Sequence, residues 1–237
     1  MPKLEWDAAG EHLYETGVRN GVLYPYVKGQ TKETSGYLAG VAWNGLTAVT
    51  ESPSGADETP LYADDIKYLS LRAAEEFGGT IEAYTYPDEW MECDGSAALV
   101  PGVVIGQQNR KMFGLCYRTT LGNDTELNDH GYKLHLVYGA TASPSERAYQ
   151  TINDSPEAIT FSWEFTTTPV KVKIDDVEFK PTSVLTIDST KFTDEQMTAL
   201  ENVLYGTNPV AGTEGAEGTP GTTARLPLPD EVVTLIS

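Results

Sequence analysis

The sequence predicts a mainly β protein, and three observations carry that prediction. Residues 158–170 read AITFSWEFTTTPV, with Ile159, Phe161, Trp163 and Phe165 at every second position and Thr160, Ser162, Glu164 and Thr166 between them. A period of two is the pattern of a strand with one buried face. Five further segments, GVAWNGLTAVTES, TIEAYTY, KMFGLCYRTTL, YKLHLVYGA and SVLTIDS, are rich in β-branched and aromatic residues, and turn formers such as SPSG, GND, NDHG and NDSP punctuate the chain. Thirteen Tyr, four Trp and six Phe supply contact area suited to sheet packing and interfaces rather than to an aromatic cofactor site.

At 237 residues and 40% apolar content, the chain is long enough for one ordinary core with extensions. Sixteen Lys and Arg against 35 Asp and Glu leave a formal charge of -19, so the surface repels phosphate and anionic lipid, and a DNA-gripping role is disfavoured. No stretch approaches the roughly 18 apolar residues that cross a bilayer, so a soluble globular protein with no membrane partner is expected. The opening MPKLEWDAAGEH lacks the basic start and apolar core of a signal peptide, and secretion by that route is not expected.

Taken in order, the first strand-like stretch runs into SPSGADETPLYADD. Residues 52–76, with Ser52, Asp57, Glu58, Tyr62, Asp64, Asp65, Glu75 and Glu76, make a long charged connection with alternating segments, whereas compact domains connect elements with about 4 to 6 residues. An arm that leaves the domain is expected. Asp64 with Asp65 and Glu75 with Glu76 have the residue type of a glycosidase pair, but such pairs are commonplace solvated groups on so acidic a chain. In TIEAYTY, Glu82 falls on the face opposite Ile81 and Ala83. A short helix is expected in PDEWMECDGS, with Pro87 in its first turn.

Cys93 and Cys116 form no C-x-x-C or zinc-finger spacing and read as buried free thiols, with a disulfide as the alternative. NDTELND carries Asp124, Glu126, Asn128 and Asp129 but lacks the glycine and distal glutamate of an EF-hand loop, and reads as a solvated hairpin loop. His12 and His130 are scattered; His135 falls opposite Leu134 and Leu136 within KLHLVYG and is expected to be structural. In TDEQMTALENVLYG, Thr193 and Gln196 match a capping box, Gly206 closes the helix, and Met197, Leu200 and Leu204 share a docking face.

TNPVAGTEGAEGTPGTTA reads as a flexible linker over 207–224, following a domain over 1–206. The terminal RLPLPDEVVTLIS, residues 225–237, is expected to add a strand or extended strip to folded protein, on this subunit or the next, through Leu226, Leu228, Val232, Val233 and Leu235. The sequence contains no G-x-S-x-G elbow, P-loop, dinucleotide glycine pattern or H-E-x-x-H, so neither catalysis nor a cofactor or metal is expected.

LYADDIKYLSLRAAEEFGGTIEAYTYPDEW, followed by NRKMFGLCYRTTLGNDTELNDHGYKLHLVYGATASPSERAYQTINDSPEAITFSWEFTTTPV, resembles the major tail tube proteins of long-tailed, siphovirus-type phages of Gram-positive bacteria, over residues 40–170. The resemblance implies a β-sandwich with a flanking helix and a long hairpin or arm. It further implies hexameric rings whose sheets join between subunits into an inner β-barrel, stacked into a tube that conducts DNA without binding it tightly. Tape-measure, tail terminator and distal tail proteins would be its other partners, in a virion tail made in the host cytoplasm. On that expectation Glu82, Ser162, Glu164 and Thr166 line the channel, and the arm touches a neighbouring subunit or the next ring. The competing expectation is a carbohydrate-binding or adhesive β-sandwich, motivated by the Tyr and Trp content.

Overall fold

The computed structural model describes residues 3–4, 6–27, 36–37, 39–152, 154, 157–174, 176–210 and 218–237. In chain order its strands are β1 (Tyr14–Pro25), β2 (Val41–Trp43), β3 (Leu46–Glu51), β4 (Ser54–Gly55), β5 (Glu58–Ala63), β6 (Ile66–Arg72), β7 (Glu75–Glu76) and β8 (Gly78–Ala83). Helix α1 (Trp90–Asp94) precedes β9 (Ala97–Val100), β10 (Val103–Ile105), β11 (Phe113–Asn123), β12 (Leu127–Ala142) and β13 (Phe161–Thr167). There follow β14 (Val170–Ile174), β15 (Val177–Thr182), β16 (Val184–Asp188), a short 3-10 turn, α2 (Asp194–Tyr205) and α3 (Pro229–Ile236). The mainly β expectation is met by an eight-stranded antiparallel sheet in the order β2-β1-β11-β12-β13-β8-β3, with β16 added along β12.

Strand β12 turns this sheet back on itself. Its residues 133–137 ladder with β16 and its residues 140–142 with β13, and a register shift against β11 falls between the two. Gly139 sits there at φ 61°, where a Cβ would run into the Thr168 carbonyl, so the bulge requires glycine. The extra residue switches side-chain parity: Leu134, Leu136 and Tyr138 face one core, while Val137, Ala140 and Ala142 face another. The rolled sheet brings β1 beside β3 along a seam that carries no ladder between them.

The first core lies inside the roll. Trp43, Trp90 and Trp163 meet there with ring centroids 4.7 to 5.8 Å apart, packed against Phe113, Phe165 and Ile81. The second core lies on the outer face of β1, β11, β12 and β16. Met197, Leu200 and Leu204 of α2 cover it as expected, and the Thr193–Gln196 capping box is present. Burying side chains of this size contributes roughly 1.5 to 3 kcal/mol each, so the two cores hold most of the fold's stability.

Several expectations are corrected. The short helix begins at Trp90 with Glu89 as its cap, leaving Pro87 in the turn before it. Ile159 lies outside β13, which starts at Phe161, and is exposed. The C-terminal segment runs extended over residues 225–228, as expected, but its remainder is a helix rather than a strand: Pro229 opens it, Asp230 and Glu231 occupy its first turn, and Val232 with Leu235 and Ile236 recurs at helical spacing. The linker is not free at its ends. Thr207 bridges Thr222 and Val210 bridges Thr219, so the chain returns to where it left; residues 211–217 of the expected linker lie outside the described residues. Cys93 and Cys116 are buried free thiols, each pushed up to about 12 by burial.

Candidate functional site

The strands β3, β8 and β13 carry the first surface of interest. Cross-strand pairing sets Ala48 beside Glu82 beside Ser162, then Thr50 beside Thr80 beside Glu164, then Gly78 beside Thr166 beside Thr141. Partners directly opposite share a face, so the four residues that the sequence placed together, Glu82, Ser162, Glu164 and Thr166, stand on one face of one sheet. Ile81, Ala83, Trp163 and Phe165 point the other way into the first core. Glu82 and Glu164 are diagonal neighbours, a separation of about 7 to 8 Å in such ladders. Trp90 of α1 packs inside the roll and α2 and α3 pack over the second core, so among the described residues no helix covers this face. Every side chain that the pairing places on it is an alanine, a hydroxyl or a carboxylate, with no cation.

The second surface is the arm. After Glu51 the chain extends the β3–β8 pair into a hairpin, β5 against β6, with β4 against β7 at its base. Asp64 and Asp65 form its tip with φ of 51° and 65°, the left-handed pair that a two-residue type I′ turn demands. Every residue from 51 to 76 except Ser70 is exposed. The expected arm residues Ser52, Asp57, Glu58, Tyr62, Asp64, Asp65, Glu75 and Glu76 all lie on it. The two acidic pairs are held apart, Asp64–Asp65 at the tip and Glu75–Glu76 at the base, so the hairpin's length separates them.

The hairpin is two-faced. Glu58, Pro60 and Tyr62 oppose Arg72, Ser70 and Lys67 on one side, where the Glu58 carboxylate accepts from Lys67 and Ser70 and lies 3.9 Å from Arg72. Thr59, Leu61 and Ala63 oppose Leu71, Leu69 and Ile66 on the other. That side has no charge, and among the described residues nothing packs over it. Leu61, Ile66, Leu69 and Leu71 are not among the arm residues expected from the sequence. Their signal was present in PLYADDIKYLSLR, two alternating runs around a turn dipeptide.

A polar cluster closes the seam between β1 and β3. The His135 ring stacks on Tyr117 at 4.7 Å, its Nε2 lies 2.9 Å from the Thr119 hydroxyl and 3.4 Å from Glu15, and its Nδ1 lies 3.7 Å from Glu51. Tyr117 donates its hydroxyl to Glu51 at 2.6 Å, and Lys133 donates to Glu15 at 2.6 Å. Burial holds His135 below the ordinary imidazole value, outweighing the pull of Glu51 and Glu15. Burial raises Glu15, but hydrogen bonds from Lys133 and Thr119 outweigh it and keep the carboxyl below its usual range. The two carboxylates approach opposite ring nitrogens, an arrangement that ties strands together and presents no common point to a ligand. His135 is thus structural, as its place in the alternation suggested.

The acidic turn also works as a staple. Asn123 Oδ1 accepts from the Glu126 backbone at 2.6 Å, Asp124 accepts from the Gly10 backbone at 2.9 Å, and Glu126 lies 2.6 Å from His130. Among the described residues no group of three or more His, Cys, Asp or Glu is placed to hold a metal ion, and no helix is long and apolar enough to cross a membrane.

The C-terminal segment docks on its own chain. The Leu226 amide donates to Tyr37, Tyr138 donates to the Pro227 carbonyl at 2.9 Å, and Gln196 donates to the Ile236 carbonyl at 2.7 Å. Leu226 and Val232 are buried in the second core with Leu228 and Leu235 packed against it, and Val233 is half-buried beside them. Leu226 passes so close to β11 that a Cβ on Gly114 would collide with it. Trp43, Trp90 and Trp163 are core residues, whereas Trp6, Tyr62, Tyr68, Tyr84 and Tyr149 are exposed. No protein-family model matches this chain, and no curated protein is significantly similar to it.

Proposed function

We propose that this chain is a structural protein of the tail-tube type, which polymerises as stacked rings around an acidic channel that conducts DNA. The observation that carries the reading is the uncovered face of β3, β8 and β13, where Glu82, Ser162, Glu164 and Thr166 stand together with Thr50 and Thr80 over a well-packed core. Repeated around a ring axis, such a face makes a wall of hydroxyls and carboxylates. It offers phosphate no cation, so DNA passes without dwelling. Ring formation by six subunits, joined inner sheets and the tape-measure, terminator and distal tail partners rest on the sequence resemblance.

The arm supports the same reading. A two-stranded hairpin with neither face packed is marginally stable in water, so its ordering calls for a neighbouring subunit or the next ring. Electron microscopy of the purified protein at high concentration tests the proposal: rings or tubes are expected, and particles that stay monomeric at every concentration contradict it. The wall assignment has a separate test. Particles carrying Glu82→Lys and Glu164→Lys should assemble but release DNA more slowly at low salt, recovering as salt screens the new charges. Normal release at low salt removes these two residues from the channel.

A further inference from the structure

One protrusion has no part in the wall, the arm or either core. Strands β9 and β10 form a separate two-stranded hairpin, paired with each other and with no other strand. Residues 96–108, SAALVPGVVIGQQ, contain no charged side chain, in a chain of net charge -19. Pro101 and Gly102, the latter at φ 85°, turn the hairpin, and the side chains around that turn are not buried: Leu99 is 63% exposed, Val100 56%, Val103 50% and Val104 52%. An uncharged aliphatic tip of this kind marks an interaction surface.

Its position relative to the arm specifies a partner. Strand β8 starts at Gly78, where the arm returns and Ser52 donates to the Gly78 carbonyl, and ends at Ala83. Beyond Ala83 the chain enters α1, whose Trp90 plugs the roll, and then the β9–β10 hairpin, whose stem is tied back by the Gln108 amide donating to Gly95 and the Lys111 amide to Glu92. The arm therefore joins β8 at Gly78, and the segment that leads through α1 to the apolar hairpin leaves it at Ala83, about 17 Å along the strand at roughly 3.3 Å per residue. The arm's uncharged side, Thr59, Leu61, Ala63, Ile66, Leu69 and Leu71, is the matching surface. Copies of so acidic a chain repel one another, and contact is favoured where both partners lack carboxylates.

We infer that the β9–β10 hairpin is the docking site for the uncharged side of the arm of a second copy of this chain, in a head-to-tail contact. Two different patches make a heterologous interface, which adds copies without limit unless a rotation closes it. The polarity of growth follows: each copy offers its arm to one neighbour and its hairpin to the other. The inference rests on the self-assembly proposed above and names the surfaces through which successive copies meet.

Three proteins test it by sedimentation velocity and electron microscopy: Val103→Asp with Val104→Asp, Leu69→Lys with Leu71→Lys, and the chain carrying all four substitutions. All four positions are exposed, so monomer melting should be unchanged. Each pair alone should raise the concentration at which assembly begins by about tenfold or more, because a charge is buried against aliphatic side chains. The combined chain, with opposite charges facing across the contact, should recover assembly. A second measurement needs no charge burial: Leu71→Cys with Val103→Cys should give disulfide-linked ladders on mild oxidation, with buried Cys93 and Cys116 silent. Failure of the wild type to assemble at all overturns the tube reading and this contact together. Wild-type tubes alongside normal assembly of both charged pairs, or alongside absence of ladders, overturn this contact alone.

Discussion

The β3–β8 ribbon has two halves with the same sequence period and opposite surroundings. Within the roll, Ile81 is fully buried while Glu82 faces out; beyond Glu51 the alternation continues into β5 and β6, yet Leu61 and Leu71 of the arm stand 43% and 57% exposed. A period of two declares a face that wants cover, and the monomer covers only one half. The difference locates the boundary between what this chain folds by itself and what it leaves for a partner.

Core substitutions should give the largest effect. Trp163→Ala removes a ring from the tryptophan cluster inside the roll and should cost about 3 to 5 kcal/mol of unfolding free energy, read by denaturant titration. Leu226→Ala, in the cis-docked C-terminal segment, should cost about 2 to 4 kcal/mol. A change under about 0.5 kcal/mol would mean that this segment docks elsewhere in solution. Deleting residues 56–60 of the arm should leave monomer stability nearly unchanged and stop assembly. Loss of the folded monomer instead would place the arm inside the folding unit and break the comparison.

Acid should have the smallest effect, at the seam between β1 and β3. His135 is held below its ordinary value of 6.5, so the stability linked to its neutral form is present above that pH and lost as pH falls through its depressed value. Glu15, held below 4.5, adds stability that disappears on further acidification. Both signs agree, and melting temperature should decline by a few degrees from neutral pH downward. His135→Gln should flatten the upper part of that decline while leaving the lower part. An unchanged profile in that variant would assign the decline to other groups.

Much of this molecule was legible in its residues, for physical reasons that differ by region. The β13 strand and the α2 helix could be read because their periodicity is strong and their caps are local: Thr193 with Gln196 needs no tertiary information. Glu82 and Glu164 could be placed opposite core residues for the same reason, although only pairing revealed that they share one face. Strand β1 was missed because YETGVRNGVLYP mixes charges with two glycines and takes its place from its pairing with β11. The C-terminal helix was misread because short apolar runs are ambiguous between strand and helix, and Pro229 followed by two acids was the signal that decided it. The β9–β10 hairpin was overlooked even though its Pro-Gly turn sits between apolar runs, and its lack of charge becomes informative only beside the acidity of the rest.

The comparison between the two halves of the ribbon is tested most directly by backbone hydrogen exchange, measured on dilute monomer and on concentrated assembly. In the monomer, amides of residues 58–72 should exchange rapidly while those of β8 and β13 are strongly protected. On assembly the arm amides should become protected, those of residues 97–105 should follow, and the core strands should stay as they were. Strong protection of the arm in the dilute monomer, or none gained on assembly, would contradict the claim that a second copy covers it.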